Sequence, residues 1–201
     1  GRITWNNQDL LASSDQMMRQ IRGREIGLIF QNPLSSLNPV FTIENQMVET
    51  IMLHHGVDAV EAKARAIELL HKVRIDQPEK RIFDFPHQFS LGMCQRIMIA
   101  MTLSMEPSLL IADEPTASLD VTTQKQILKL LHELKDELSM SMILISHDLG
   151  VVAEHCDHVV VMYLGTIVEQ GSPEHIFTNP QHEYTKKLID AIPKIHFRSA
   201  I

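Results

Sequence analysis

Four apolar residues, Leu109-Leu110-Ile111-Ala112, run directly into two adjacent carboxylates, Asp113 and Glu114, followed by Pro115-Thr116. Such a run buries a strand and delivers both acids at its C-terminal end, the edge of an open α/β sheet where ligands bind. Strand side chains alternate, so Asp113 and Glu114 are expected to point different ways: one can hold a Mg²⁺ through water while the other polarises an attacking water. Taken alone, the pair favours the plainer reading of an acidic strand-to-turn boundary by a wide margin. Its neighbourhood favours the chemistry. Ser118-Leu119-Asp120 follows at once, Ile143-Leu144-Ile145-Ser146-His147-Asp148 places a histidine just past the next apolar run, and Gln31 closes an earlier one, Ile26-Gly27-Leu28-Ile29-Phe30. In Phe89-Ser90-Leu91-Gly92-Met93-Cys94-Gln95-Arg96, Ser90 stands where it can cap a helix.

The elements that must hold these residues are legible in the pattern. Ile26–Phe30 reads as a buried strand ending at the turn-rich stretch from Asn32 to Pro39. Helices are expected over Thr42–His55 and Asp58–Val73, the second with Asp58 as N-cap and Glu61 three residues on, and with Val60, Ala64, Ile67 and Leu70 on one face. Ser90 opens a helix running toward Met105. Beyond Pro107, strands Leu109–Ala112 and Met142–Ile145 flank a helix carrying Ile127, Leu130, Leu131, Leu134 and Leu138, which implies a parallel sheet in an α/β layer fold. His158–Tyr163 and Thr166–Glu169 flank Leu164-Gly165 as a hairpin. A short helix begins at Pro173, and a last helix, Glu183–Ala191, stops at Pro193. Near the start, Ile3–Trp5 reads as a short extended piece and Gln8–Gln20 as a small amphipathic helix.

Composition narrows the classes. With 201 residues, 44% hydrophobic, the chain can bury a core without staples, and eight Gly with nine Pro exclude fibrous and low-complexity polymers. The formal charge of −7 disfavours nonspecific binding to nucleic acid. Cys94 and Cys156 fit neither a disulfide framework nor a zinc spacing, which suits a reducing compartment. The apolar run Ile97–Met105 is too short to span a membrane, and Gly1–Asn7 lacks the pattern of a signal peptide. His54-His55 and His155-Cys156-x-His158 read as helix-end and core residues rather than metal ligands, and the methionines as core fillers.

In order and spacing these residues resemble the ATP-binding subunits of ABC transporters. The resemblance makes the run ending in Asp113-Glu114 the Walker B motif, Ser118-Leu119-Asp120 the D-loop, His147 the switch histidine and Gln31 the Q-loop residue. Phe89–Arg96 is similar to the family's Leu-Ser-Gly-Gly-Gln signature, with Leu91 departing from it where the family has glycine. Ile29–Pro33, Ser36–Thr42, Pro86-His87-Gln88, Ala112–Thr116 and His182-Glu183-Tyr184-Thr185 are similar to oligopeptide, dipeptide, nickel and glutathione importer ATPases, over essentially the whole chain.

The resemblance implies an α/β, P-loop NTPase-like core with a parallel sheet plus an α-helical subdomain. Residues 1–31 and 107–201 would form the core, and residues 32–106 a mainly helical part with the Q-loop and signature. It implies ATP and Mg²⁺ as cofactors. Gln31 and Asp113 would serve the metal, Glu114 would polarise water and His147 would contact the γ-phosphate. Asp120 would link two sites, and Ser90 and Gly92 would face the ATP of the opposite subunit. Implied partners are a second ABC ATPase subunit, alike or different, integral membrane permease subunits and, indirectly, a substrate-binding protein, at the cytoplasmic face of the inner membrane. A P-loop needs Gly-x-x-x-x-Gly-Lys-Ser/Thr to cradle phosphates, and no Gly-Lys pair occurs in the chain. The expectation is therefore a subunit truncated before the Q-loop, lacking the N-terminal strands and inactive alone, with evolved loss of the P-loop as the alternative. A soluble ABC-family ATPase and a non-hydrolytic partner-binding remnant are the rival functions.

Overall fold

A computed structural model describes residues 1–191. In chain order the elements are β1 (Thr4–Trp5), β2 (Gln8–Asp9), α1 (Asp15–Ile21), β3 (Ile26–Ile29), α2 (Pro33–Ser36), α3 (Ile43–His55), α4 (Ala59–Lys72) and α5 (Pro78–Arg81). They continue with α6 (Leu91–Leu103), β4 (Leu109–Asp113), α7 (Val121–Glu137), β5 (Ser141–Ile145), α8 (Leu149–His155), β6 (Val159–Tyr163), β7 (Thr166–Gly171), α9 (Pro173–Thr178) and α10 (Glu183–Asp190). The described residues divide into two compact units, residues 1–145 and 146–191.

In the first unit β3, β4 and β5 form a parallel sheet with β4 in the middle, as the strand-helix-strand spacing implies. The two faces differ. Ile29, Leu110 and Ala112 are fully buried against a core that includes Ile97 and Ile99 of α6 and Ile127, Leu130, Leu131 and Leu134 of α7. Burying each Leu or Ile there stabilises the fold by roughly 1.5–3 kcal/mol. Gly27 belongs to this face, where an added Cβ would lie 2.8 Å from Thr102 Cγ2 and 3.1 Å from Pro107 Cγ. On the opposite face Leu28, Phe30, Ile143 and Ile145 are exposed. The expected buried strand over Ile26–Phe30 is thus buried on one face only: its residues alternate between core and surface.

Thr42 and Asp58 cap α3 and α4, their side chains accepting from Asn45 N and Glu61 N. The buried stripe of α4 is Ala62, Ala66 and Leu70, whereas Val60 and Ala64 are exposed, which moves the expected face around the helix. Small alanines let α3 and α4 approach closely, and Lys63 ties to Glu44 at 2.9 Å. Near the start, Asn6 and Asn7 take positive φ of 46° and 64° between β1 and β2, so the helix expected over Gln8–Gln20 begins only at Asp15, under the cap of Ser14. Among the described residues no helix is long and apolar enough to cross a membrane.

The second unit packs Val152 of α8, Val159 and Val161 of β6 and Ile176 of α9 together. β6 and β7 form the expected antiparallel hairpin, with Leu164 and Gly165 at φ 49° and 78° in its turn. Glu169 of β7 accepts from the backbone N–H of Gln181 at 2.7 Å and of His182 at 3.0 Å, fastening the start of α10. Pro193, expected to stop the last helix, lies outside the described residues.

Candidate functional site

Asp113 is the last residue of β4, registered opposite Ile145 at the end of β5, and its carboxylate is exposed at the C-terminal edge of the sheet. Glu114 departs from the expected geometry. It lies past the strand with φ 45°, so a left-handed turn, not strand alternation, separates the two carboxylates. A non-glycine residue held there stores of order 1–3 kcal/mol. The surrounding backbone enforces it: Glu114 N–H donates to Ile145 O at 2.9 Å, its carbonyl accepts from Ala117 N at 3.2 Å, and Pro115 disfavours the right-handed helical alternative.

Gln31, two residues beyond β3, reaches this turn, and its Nε2 donates to Glu114 Oε2 at 2.6 Å. A short bond to a charged acceptor is among the stronger hydrogen bonds. The structure thus joins two residues 83 positions apart, whereas the resemblance grouped Gln31 with Asp113. Among the described residues no three His, Cys, Asp or Glu side chains converge on a metal position. Mg²⁺ is commonly held by one or two carboxylates together with waters and phosphate oxygens. Asp113 supplies such an exposed carboxylate at the sheet edge.

A separate hollow of about 420 Å³ lies where α6 and α7 begin, lined by Ser90, Leu91, Gly92, Arg96, Asp120 and Thr123. Ser90 caps α6, its hydroxyl accepting from Met93 N. Asp120 caps α7, accepting from Thr122 N and Thr123 N, both at 3.0 Å. The Thr123 hydroxyl first, and then its backbone N–H, hold the Asp120 carboxyl below the usual carboxylate range. Arg96 ties the hollow's wall, donating to Val73 O at 3.0 Å and to Gln126 Oε1 at 3.1 Å. Cys94, next to the signature, is fully buried, and burial pushes its thiol up.

The structure therefore gathers Gln31 with Glu114, beside Asp113, in one place, and Ser90, Gly92 and Asp120 in another. His147 follows β5 in a bend of the second unit, two residues past Ile145, and Asp148 after it caps α8. The roles of Thr123 and of the Arg96–Gln126 bond were missed in the sequence. Thr123 and Gln126 belong to no motif, and only the packing of α6 on α7 brings them to Arg96 and the hollow. His55, read as a helix-end residue, contacts Ser104 O at 2.7 Å. A larger groove of about 850 Å³ runs along α3 and α4, lined by Phe41, Glu44, Glu49, Met52, Leu53 and Val60, away from these carboxylates.

Comparison with known proteins supplies the family. The family model described as "ABC transporter" matches residues 1–117, and that described as "Oligopeptide/dipeptide transporter, C-terminal region" matches residues 168–200. The oligopeptide transport ATP-binding protein OppD of Bacillus subtilis is 49% identical over 97% of this chain and 54% of its own length. The glutathione import ATP-binding protein GsiA of Salmonella paratyphi A is 51% identical over 93% of this chain and 30% of its own. Among solved structures, CbiO1 of Clostridium perfringens, part of the ABC transporter complex cbiONQ, superposes with a TM-score of 0.76 at 30% identity, covering 96% of this chain and 73% of that one. The chain spans a little over half the length of OppD. On its matched segments, its parallel sheet and the order of its site residues, the chain belongs to the ABC transporter ATP-binding family and carries the oligopeptide/dipeptide transporter C-terminal region.

Proposed function

We propose that this chain is part of the ATP-hydrolysing subunit of an ABC importer that takes up peptides or similar small solutes. The observation that carries the reading is the Gln31–Glu114 bond of 2.6 Å at the C-terminal edge of the sheet, beside Asp113. The peptide-import names of the relatives support the solute class. Bound MgATP supplies the phosphoryl group and the metal charge. Asp113, helped by Gln31, would hold the Mg²⁺. Glu114 accepts a proton from water that it orients, Gln31 fixes the position of that carboxylate, and His147 contacts the γ-phosphate. Catalysis of this kind is mainly positioning and charge stabilisation.

Ser90 and Gly92 face the ATP of a second ABC subunit, alike or different, and Asp120 links the two sites. Residues 32–106 act as a mainly helical subdomain between core segments 1–31 and 107–201. Its α3–α4 groove, where Leu53 and Val60 are exposed, is the surface offered to integral membrane permease subunits, which a substrate-binding protein serves in turn. This places the subunit peripherally at the cytoplasmic face of the inner membrane. Without a Gly-Lys phosphate cradle in its sequence, the 201-residue chain alone binds MgATP weakly.

Titration calorimetry tests the reading. The chain alone should show no micromolar site, whereas a chimera with a related cassette's P-loop segment fused ahead of Gly1 should bind one MgATP per chain. Micromolar binding by the chain alone, or none by the chimera, would overturn it.

A further inference from the structure

Gly92 stands in the signature stretch, yet its surroundings show a steric demand from within the same chain. A Cβ placed on Gly92 would lie 2.8 Å from Thr123 Cγ2, a separation that real Cβ atoms do not adopt. Thr123 belongs to the first turn of α7, and its backbone N–H donates to Asp120 Oδ1 at 3.0 Å. Its hydroxyl acts on the same carboxylate. One β-branched side chain therefore turns its methyl to the start of α6 and its polar groups to the D-loop aspartate. Because both branches sit on one Cβ with a stiff χ1, the methyl cannot move off Gly92 without carrying the hydroxyl off Asp120.

We propose that Thr123 is a positioning residue that locks Asp120 to the N-terminus of the signature helix, so that Ser90, Gly92 and Asp120 present one rigid surface to the partner subunit. The functional half of this proposal rests on the ATPase reading above. The Arg96–Gln126 bond, one helical turn further along α6, fastens the same pair of helices and leaves the Gly92–Thr123 contact to set their spacing at the hollow. Thr123 touches no nucleotide in this scheme; it acts through Asp120.

The mechanical half is read without nucleotide, by following the Asp120 side-chain carboxyl carbon in an NMR pH titration of the 201-residue chain. Gly92→Ala should push the Thr123 methyl away and raise the Asp120 midpoint toward the ordinary carboxylate value. Adding Thr123→Ser, which removes Cγ2 and keeps the hydroxyl, should restore it. Thr123→Val, which keeps the methyl contact and therefore the packing, should raise the midpoint part-way, since the backbone N–H donors stay. An unchanged midpoint in Gly92→Ala or Thr123→Val, or no restoration in the double variant, would overturn the proposal.

The functional half is read as kcat in the P-loop chimera. Gly92→Ala should lower kcat about tenfold or more, as small misplacements of catalytic groups do, and the double variant should recover most of it. If the unmodified chimera hydrolyses ATP while Gly92→Ala leaves kcat unchanged, the positioning role is wrong. If the unmodified chimera does not hydrolyse ATP, the ATPase reading fails, and the NMR titration still decides whether Thr123 couples the two helices.

Discussion

Replacing Gln31 by methionine separates what the Gln31–Glu114 bond does for the fold from what it does for the site. The substitution keeps the length of the side chain and removes the Nε2 donor. Hydrogen bonds to charged groups contribute about 1.5–3 kcal/mol where water is excluded. Gln31 is exposed, so water competes at both ends and the stability at stake is below about 1 kcal/mol. For a chain of this size that is a melting shift of at most about 4 °C. The position of the carboxylate is another matter. Glu114 leaves the strand in a left-handed turn with φ 45°, so strand geometry does not aim its side chain, and Gln31 takes up that role at 2.6 Å. Letting the carboxylate drift by about 1 Å costs of order 10²-fold in rate, equivalent to about 2.7 kcal/mol of barrier. Thermal melting and phosphate release, measured side by side on the P-loop chimera, should show a small change in the first and a large one in the second. Gln31→Glu, which sets a like charge against Glu114, should do more damage than Gln31→Met. A melting temperature that collapses while kcat holds, or a kcat untouched by either variant, would refute the assigned role of Gln31.

Other outcomes follow from the same geometry. The backbone N–H of Gln181, with that of His182, holds Glu169 down to about 2 against an ordinary 4.5. Its folded value is depressed, so its contribution is complete above pH 4.5 and is lost as pH falls from there toward 2. Melting of the parent across that window should fall more steeply than melting of Glu169→Gln. At the signature, Leu91→Gly in the P-loop chimera should raise phosphate release by opening the hollow beside Ser90 and Gly92, and no gain would mean that the leucine is accommodated. On the sheet, Ile143→Thr on the exposed face should reduce light scattering by the 201-residue chain with little loss of stability. Leu110→Ala on the opposite face should cost about 2–5 kcal/mol by chemical denaturation. Equal costs would contradict the two-faced sheet.

Much of this fold was legible because its signals are local. Apolar runs bounded by Pro, Asn and Asp gave β3, β4 and β5, the caps Asp58 and Ser90 gave two helix starts, and Leu164-Gly165 gave the hairpin turn. The errors came where tertiary packing outvotes local pattern. Val60 is apolar and in phase with the expected helix face, yet the close α3–α4 approach selects Ala62 and Ala66 instead. Leu28 and Phe30 look like core residues in a list, and only the finished sheet shows which face they take. At the site, Asp113, Glu114 and Gln31 were found as types at a spacing. The left-handed turn at Glu114 and the Thr123–Gly92 contact arise from backbone and packing, which leave no mark in spacing.

The ATPase reading stands most directly on Glu114, and phosphate release from MgATP by the P-loop chimera tests it. The parent should turn over repeatedly and require Mg²⁺. Glu114→Gln is nearly isosteric and its amide oxygen can still accept from Gln31, so MgATP affinity should persist. It cannot take a proton as the carboxylate does, so hydrolysis should slow by about 10²–10⁴-fold, and gel filtration with MgATP should show a dimer for the variant against mostly monomer for the parent. A Glu114→Gln variant that releases phosphate at the parental rate would contradict the assignment of this carboxylate as the catalytic base.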